Sequence, residues 1–337
     1  MSKFIIHSGS HKTGTSHLQA AFDQNADLMK KHGVIYPPIW SNGAHHVMAA
    51  PWKPHVQRNT KITREDGLEM YKKLVKEYAK TDATVVISGE VFTHQLNGLV
   101  DYKELAMLLE PFDTVEIVNV VREQVALFQS TYLQLGKTSR KDHELLKRML
   151  DEVIETQRAM GVALNFGNLL DQMTKGFDES SIFLSSFEVV RKMPMGVLTP
   201  VVERFGWDKL PEGFKDPVGD INVSPDPLST LVAQELTGSH PPPGRTIDVI
   251  RKTIDAHFGK TARTSILERE QAEMIAAAAV EWNQKVLERV GDHCPNLAFP
   301  DYVWNDELIT ASKLDTEFYK RLSRRLIRSM EQASKRE

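Results

Sequence analysis

The stretch "HSGSHKTGTSHLQ" (7–19) sets Gly9 and Gly14 five positions apart, the interval between the two glycines of a phosphate-binding loop. Such a loop presents backbone N–H groups, and a helix N-terminus beyond it adds its dipole, so an anion is the expected guest. The lysine and hydroxyl that would follow the second glycine in a nucleoside-triphosphate loop are out of register: Gly14 is followed by Thr15 and Ser16. Lys12 lies inside the loop instead. In that position its ammonium would stand beside a single phosphate and reach the atom that bridges this phosphate to a transferred group. Neither a triphosphate grip nor a magnesium handle is needed.

Two further positions carry chemistry. "VNVVREQVALFQS" puts Arg122 at the end of an apolar run and Ser130 eight residues later. "ISGEVFTH" ends another apolar run with Glu90 and His94 beyond it. A transfer to a hydroxyl or amine needs a base to take its proton, and Glu90 is the first choice, with His94 the alternative. A carboxylate buried beside an anionic donor is expected to be pushed above its usual range. His7 and His11 are spaced as metal ligands on a helix would be, but they straddle a strand and a tight loop, so no metal is expected. His45 and His46, in "NGAHHVMAAPW", could border the acceptor, while Trp40 and Trp52 read as partly buried core residues.

The elements that must hold these residues alternate. Apolar runs at 3–8, 83–88, 114–121 and 181–186 read as buried strands, and 33–38 as a short extended piece. Helices are expected over 15–32, closed by Gly33, and over 65–80, 123–135 and 142–160. That alternation predicts an α/β, three-layer, P-loop-like fold with a central, mainly parallel sheet of about four to five strands. Ligands then gather at the carboxyl ends of the strands. The last third is helical, with helices near 228–237, 246–257, 268–290 and 313–334. One domain over 1–337 is expected: a nucleotide-binding α/β core (1–205), a proline- and glycine-rich lid candidate (206–227) and a helical C-terminal part (228–337).

The loop and the arginine–serine pair resemble the donor site of sulfotransferases that use 3′-phosphoadenosine-5′-phosphosulfate (PAPS), in the bacterial branch related to carbohydrate sulfotransferases. The resemblance implies that Ser10, His11, Lys12, Thr13, Gly14, Thr15 and Ser16 hold the 5′-phosphate. It implies that Arg122 and Ser130 hold the 3′-phosphate, and that a glutamate near Glu90 or a histidine serves as base. It extends more weakly to "IFLSSFEVV" (182–190), where Phe187 replaces a tyrosine, and to "INVSPDPL" (221–228) and "VEWNQKVLERV" (280–290). A Gly-x-x-Gly-x-x-Lys element found in small-molecule sulfotransferases is absent, which leaves Arg245 in "PPPGR" as the stand-in for a third 3′-phosphate ligand. The implied partners are PAPS, its product 3′,5′-adenosine bisphosphate (PAP), and a small-molecule, sugar or lipid acceptor.

Composition bounds the alternatives. A chain of 337 residues with 41% hydrophobic and 26% charged residues can build a large core. A formal charge of −3 gives no reason to expect nucleic acid as a partner. The single cysteine, Cys294, excludes internal disulfides and is expected near the surface. The polar start "MSKFIIHSGS" and the lack of any apolar run of roughly 20 residues predict a cytoplasmic chain without a membrane span. The final helix is basic, with Leu322, Leu326 and Met330 on one face. Two rival readings stay open: a P-loop kinase or NTPase with a displaced lysine, and a non-catalytic nucleotide-binding interaction protein. The first would need an apolar strand ending in aspartate, and the strands here end in "ISGE", "NVVRE" and "LSSFE".

Overall fold

The computed structural model describes residues 1–40, 43–96, 98–135, 144–217, 225–238 and 242–334. They form two compact units. The first comprises Met1–Glu123, Gln157–Ile221 and Ala279–Pro300, and the second Gln124–Thr156, Asn222–Ala278 and Asp301–Glu337.

The first unit is built on a five-stranded parallel sheet in the order β2-β3-β1-β4-β7, formed by β1 (Lys3–His7), β2 (Val34–Ile35), β3 (Thr84–Ser88), β4 (Thr114–Val121) and β7 (Ile182–Ser186). Strands covered on both faces need continuous apolar runs rather than alternation. "KFIIH" and "TVVIS" meet that need, each buried throughout after its first residue. From one face Ile5, Val86 and Val118 pack with Leu18 and Phe22 of α1 (Thr15–Gln24) and Met29 of α2 (Ala26–Lys31). From the other, Phe4 meets Phe112 edge-on at 5.1 Å. The extended piece at 33–38 thus contributes a strand of the sheet, pairing Val34 with Thr84.

The expected helix over 15–32 is broken at Asn25. Its Nδ2 donates to the carbonyls of Ala21 and Lys215, both at 2.7 Å, and its Oδ1 accepts from Lys215 N at 2.8 Å. A side chain that serves a distant backbone this way competes with the helix's own bonds. Lys215 belongs to the expected lid segment, and Trp207, Leu210 and Phe214 of that segment pack on the core; 218–224 lie outside the described residues.

The unit continues with α3 (Pro54–Thr60), α4 (Arg64–Tyr78) and α5 (Tyr102–Leu109). Thr63 and Asp66 close a reciprocal capping box at the start of α4. A two-stranded antiparallel ribbon of β5 (Arg158–Ala159) and β6 (Val162–Ala163) occupies the end of the expected 142–160 helix. Gln157 and Met160 at positive φ, with Gly161, turn the chain there. Cys294 is buried rather than near the surface, its Sγ accepting from Leu184 N at 3.2 Å. Trp52 is core, its Nε1 donating to Glu104, whereas Trp40 is exposed.

The second unit is helical: α6 (Gln124–Leu135), α7 (Leu145–Thr156), α11 (Pro227–Thr237), α12 (Gly244–Phe258) and α14 (Thr316–Ser334), with the first turns of α13 (Arg269–Val290). The short helices α8 (Gly167–Met173), α9 (Phe187–Val190) and α10 (Thr199–Val202) belong to the first unit. Asp226 caps α11 through Ser229 N and is held by Arg251 Nη1 at 2.6 Å and Thr264 Oγ1 at 2.7 Å. No helix among the described residues is long and apolar enough to cross a membrane.

Candidate active site

The strand order decides which turns meet. Because β1 lies between β3 and β4, the turn after β1 is flanked by the turn carrying Glu90 and by the strand end carrying Arg122. This is where the chain's progress across the sheet reverses, the place where open parallel sheets leave a crevice. Gly89 N donates to His7 O at 2.9 Å on one side, and Ser10 N to Val120 O at 2.8 Å on the other.

The loop itself is tightly determined. Gly9 has φ +96°, and a Cβ there would lie 2.9 Å from Glu90 Cβ, so only glycine lets the turn approach that carboxylate's backbone. Gly14, at φ +85°, is packed in the same way against Val197. Ser10 Oγ donates to Asn119 Oδ1 at 3.2 Å and Thr13 Oγ1 to Ser10 O at 2.7 Å. Both hydroxyl protons are used inside the protein. Lys12 adopts a left-handed conformation, φ 64°, at the turn. Helix α1 then begins at Thr15 with no side-chain cap from Gly14. The first N–H groups of a helix have no intrahelical acceptor, so this end is open to an anion. Thr15 is buried and Ser16 exposed.

Arg122 is joined to this loop. Its Nη1 donates to the Lys12 carbonyl at 3.1 Å. Its guanidinium carbon lies 5.2 Å from the centre of the Phe187 ring, and its Nε is 3.9 Å from Glu188 Oε1. That Nε is buried without a hydrogen-bond partner among the described residues. Burial pulls Arg122 below its ordinary value while Glu188 works against the shift; a guanidinium stays charged regardless. Ser130 is a buried residue of α6, in the second unit. Arg245, also there, is exposed and bonds Ser329 of α14 through Nε at 2.7 Å.

On the other side of the loop lies a cavity of about 290 Å³, with His11, His46, Glu90 and His94 in its wall. Helix α3 completes it with His55, Val56, Asn59 and Thr60. These four residues escaped the reading of the sequence; Pro54 at the first turn of α3 was the local signal for the helix, and nothing local points it at Glu90. His45, by contrast, is not in this wall. It is buried, with Nε2 bonded to Pro37 O at 2.8 Å and Nδ1 accepting from Ser88 N at 2.9 Å, so both ring nitrogens serve the core. His7 is likewise buried, its Nδ1 2.8 Å from Ser88 Oγ. Among the described residues no group of three or more His, Cys, Asp or Glu is arranged to hold a metal ion.

The electrostatics correct one expectation. Burial, the largest influence, would raise Glu90, but hydrogen bonding to His11 and its charge, with smaller contributions from His46 and Thr15, bring it down to about 2. His11 Nδ1 lies 3.4 Å from Glu90 Oε1. Burial, then the neighbouring His11, Lys53 and His55, lower His94 to about 4. Lys53 is fully buried; its Nζ bonds the carbonyls of His94 and Gly98, fixing the turn that presents His94, and burial brings it to about 8.

No protein-family model matches the chain, and no curated protein matches it. Among solved structures, the chain is similar to the crystal structure of a sulfotransferase from Alicyclobacillus acidocaldarius. The TM-score is 0.41 and the identity 16%, over 69% of this chain and 91% of that one. It is also similar to the sulfotransferase domain from the curacin biosynthetic pathway. There the TM-score is 0.36 and the identity 14%, over 82% of this chain and 96% of that one.

Proposed function

We propose that this chain is a PAPS-dependent sulfotransferase that moves a sulfuryl group to a hydroxyl or amine of a small-molecule, sugar or lipid acceptor. The observation that carries the proposal is the Lys12–Arg122 arrangement. A left-handed lysine inside the loop has its carbonyl bound by the arginine of the adjacent strand end, beside a helix N-terminus without a side-chain cap. The unsatisfied Nε of Arg122 fits a doubly charged phosphate, since a buried guanidinium N–H calls for an acceptor.

In this reading the amides of residues 11–16 receive the 5′-phosphate, that of Ser10 being engaged by Val120 O, and Lys12 stabilises the bridging oxygen as the sulfur–oxygen bond breaks. Arg122 receives the 3′-phosphate and sets the register of the nucleotide. The acceptor enters the cavity of about 290 Å³, a volume at the low end for ligand pockets and suited to one sugar ring or the head of a larger molecule. Its proton passes to the group centred on Glu90. No protein side chain becomes covalently modified, so the rate comes from position and preset charge.

Calorimetric titration with 3′,5′-adenosine bisphosphate and with ATP–magnesium, on wild type and Arg122→Ala, tests the reading. Tight bisphosphate binding that the substitution weakens, with little ATP binding, supports it. Preference for ATP–magnesium, or indifference to Arg122, overturns it in favour of a kinase or NTPase.

A further inference from the structure

We infer that His11 is the catalytic base of this site and that Glu90 is its positioning partner; the inference rests on the sulfuryl transfer proposed above. The geometry is that of a carboxylate behind an imidazole. Glu90 Oε1 faces His11 Nδ1 at 3.4 Å, and the other ring nitrogen, Nε2, is enclosed and has no hydrogen-bond partner among the described residues. The His11 ring is also part of the wall of the 290 Å³ cavity. A carboxylate that accepts the Nδ1 proton leaves Nε2 as the basic nitrogen and holds the ring's orientation. A buried ring nitrogen without a partner is costly, and an acceptor hydroxyl entering the cavity supplies the missing bond.

The competing groups are less suited. Glu90 already faces His11 Nδ1 with Oε1 at 3.4 Å, and that neighbour lowers it, so its carboxylate serves the ring rather than an acceptor. His94, whose ring centre lies 5.3 Å from that of His11, is brought down to about 4 by burial, His11 and Lys53. His46 is lowered by burial too. Glu90, His46 and His94 each interact electrostatically with His11. Of these groups, His11 has one nitrogen facing a carboxylate within 4 Å and the other buried without a hydrogen-bond partner among the described residues.

The step balances without a further reactant. As the acceptor oxygen bonds to sulfur, its proton passes to His11 Nε2. The bond from sulfur to the bridging oxygen breaks, and its electron pair remains on the 5′-phosphate of the departing adenosine bisphosphate, beside Lys12.

The test uses the full chain and two readouts. In ¹⁵N-histidine spectra at neutral to alkaline pH, the neutral His11 ring is expected as the Nδ1–H tautomer in wild type, with that preference weakened in Glu90→Gln. In transfer assays with labelled PAPS, His11→Ala is expected to lose kcat by on the order of 10²–10⁴. Added imidazole should restore part of that rate, which loss of a merely structural side chain would not allow. Glu90→Gln should lose less kcat than His11→Ala. An Nε2–H tautomer in wild type overturns the assignment. So does near-complete loss in Glu90→Gln alongside an active His11→Ala. A wild type that neither binds the bisphosphate nor transfers sulfate sinks the sulfotransferase reading itself, a result distinct from either.

Discussion

Arg122 donates from Nη1 to the backbone carbonyl of Lys12 at 3.1 Å, so the residue expected to read one phosphate also braces the loop expected to hold the other. The bond needs a planar, multi-donor head. One N–H holds the carbonyl, the ring of Phe187 lies 5.2 Å from the guanidinium carbon, and Nε is left for a ligand. Lysine has charge without that fork. Arg122→Lys is therefore expected to weaken adenosine bisphosphate binding by roughly tenfold or more, since a hydrogen bond to a charged group is worth about 1.5–3 kcal/mol. Calorimetry on the purified variant measures this; affinity within a factor of two of wild type would contradict it.

Lys12 occupies left-handed backbone, φ 64°, which costs a non-glycine residue roughly 1–2 kcal/mol. Lys12→Gly should relieve part of that strain while removing the ammonium. The expected outcome is a protein at least as stable as wild type, the relieved strain outweighing the roughly 0.5–1 kcal/mol that glycine costs through the unfolded chain, whose kcat falls by on the order of a hundredfold or more. Chemical denaturation and transfer assays on the same preparation report the two effects. A less stable variant, or an equally active one, would show that the conformation is not held for the charge.

Three histidines, His7 and His45 buried and His94 half-buried, predict the pH response. Burial lowers His7 and His45 to about 4, and burial with nearby cations does the same to His94. An unfolded histidine titrates near 6.5, so between about 6.5 and 4 the unfolded chain binds protons that the folded chain does not. Stability is full above the unfolded value and is lost as pH falls toward the folded one, by up to about 1.4 kcal/mol per unit for each such group. Glu90, depressed to about 2, adds a loss in the same direction at lower pH, below the ordinary carboxylate range. Urea unfolding at half-unit steps from pH 7.5 to 4 should show a steady decline. A flat profile would mean that these rings take up protons in the folded protein as readily as in the unfolded chain.

Asn59 is an exposed residue of α3 that lines the cavity beside Glu90. Asn59→Trp adds bulk at the mouth and leaves the loop and Arg122 alone. Once an acceptor is identified, its KM should rise about tenfold, a change of about 1.4 kcal/mol, with adenosine bisphosphate affinity unchanged. Equal losses for both ligands would place the acceptor elsewhere.

What this chain determined by itself is local. The apolar runs of β1, β3, β4 and β7, the glycines at 9 and 14, the helix start at Thr15 and Arg122 at a strand end follow from side-chain periodicity and backbone sterics, which act over a few residues. The α/β architecture with its parallel sheet follows from the same alternation. Tertiary structure decided the rest. It set β1 between β3 and β4, which puts Glu90 and Arg122 on opposite sides of one loop, and it carried α3 with His55 and Asn59 to the cavity. It took His45 into the core while its neighbour His46 faced the site, because both ring nitrogens of His45 found backbone partners at Pro37 and Ser88. It also reversed the expected ionisation of Glu90, since burial raises a carboxylate only until a partner such as His11 is brought within 3.4 Å. Residue type names the group; only the packing of distant segments sets its charge and its neighbours.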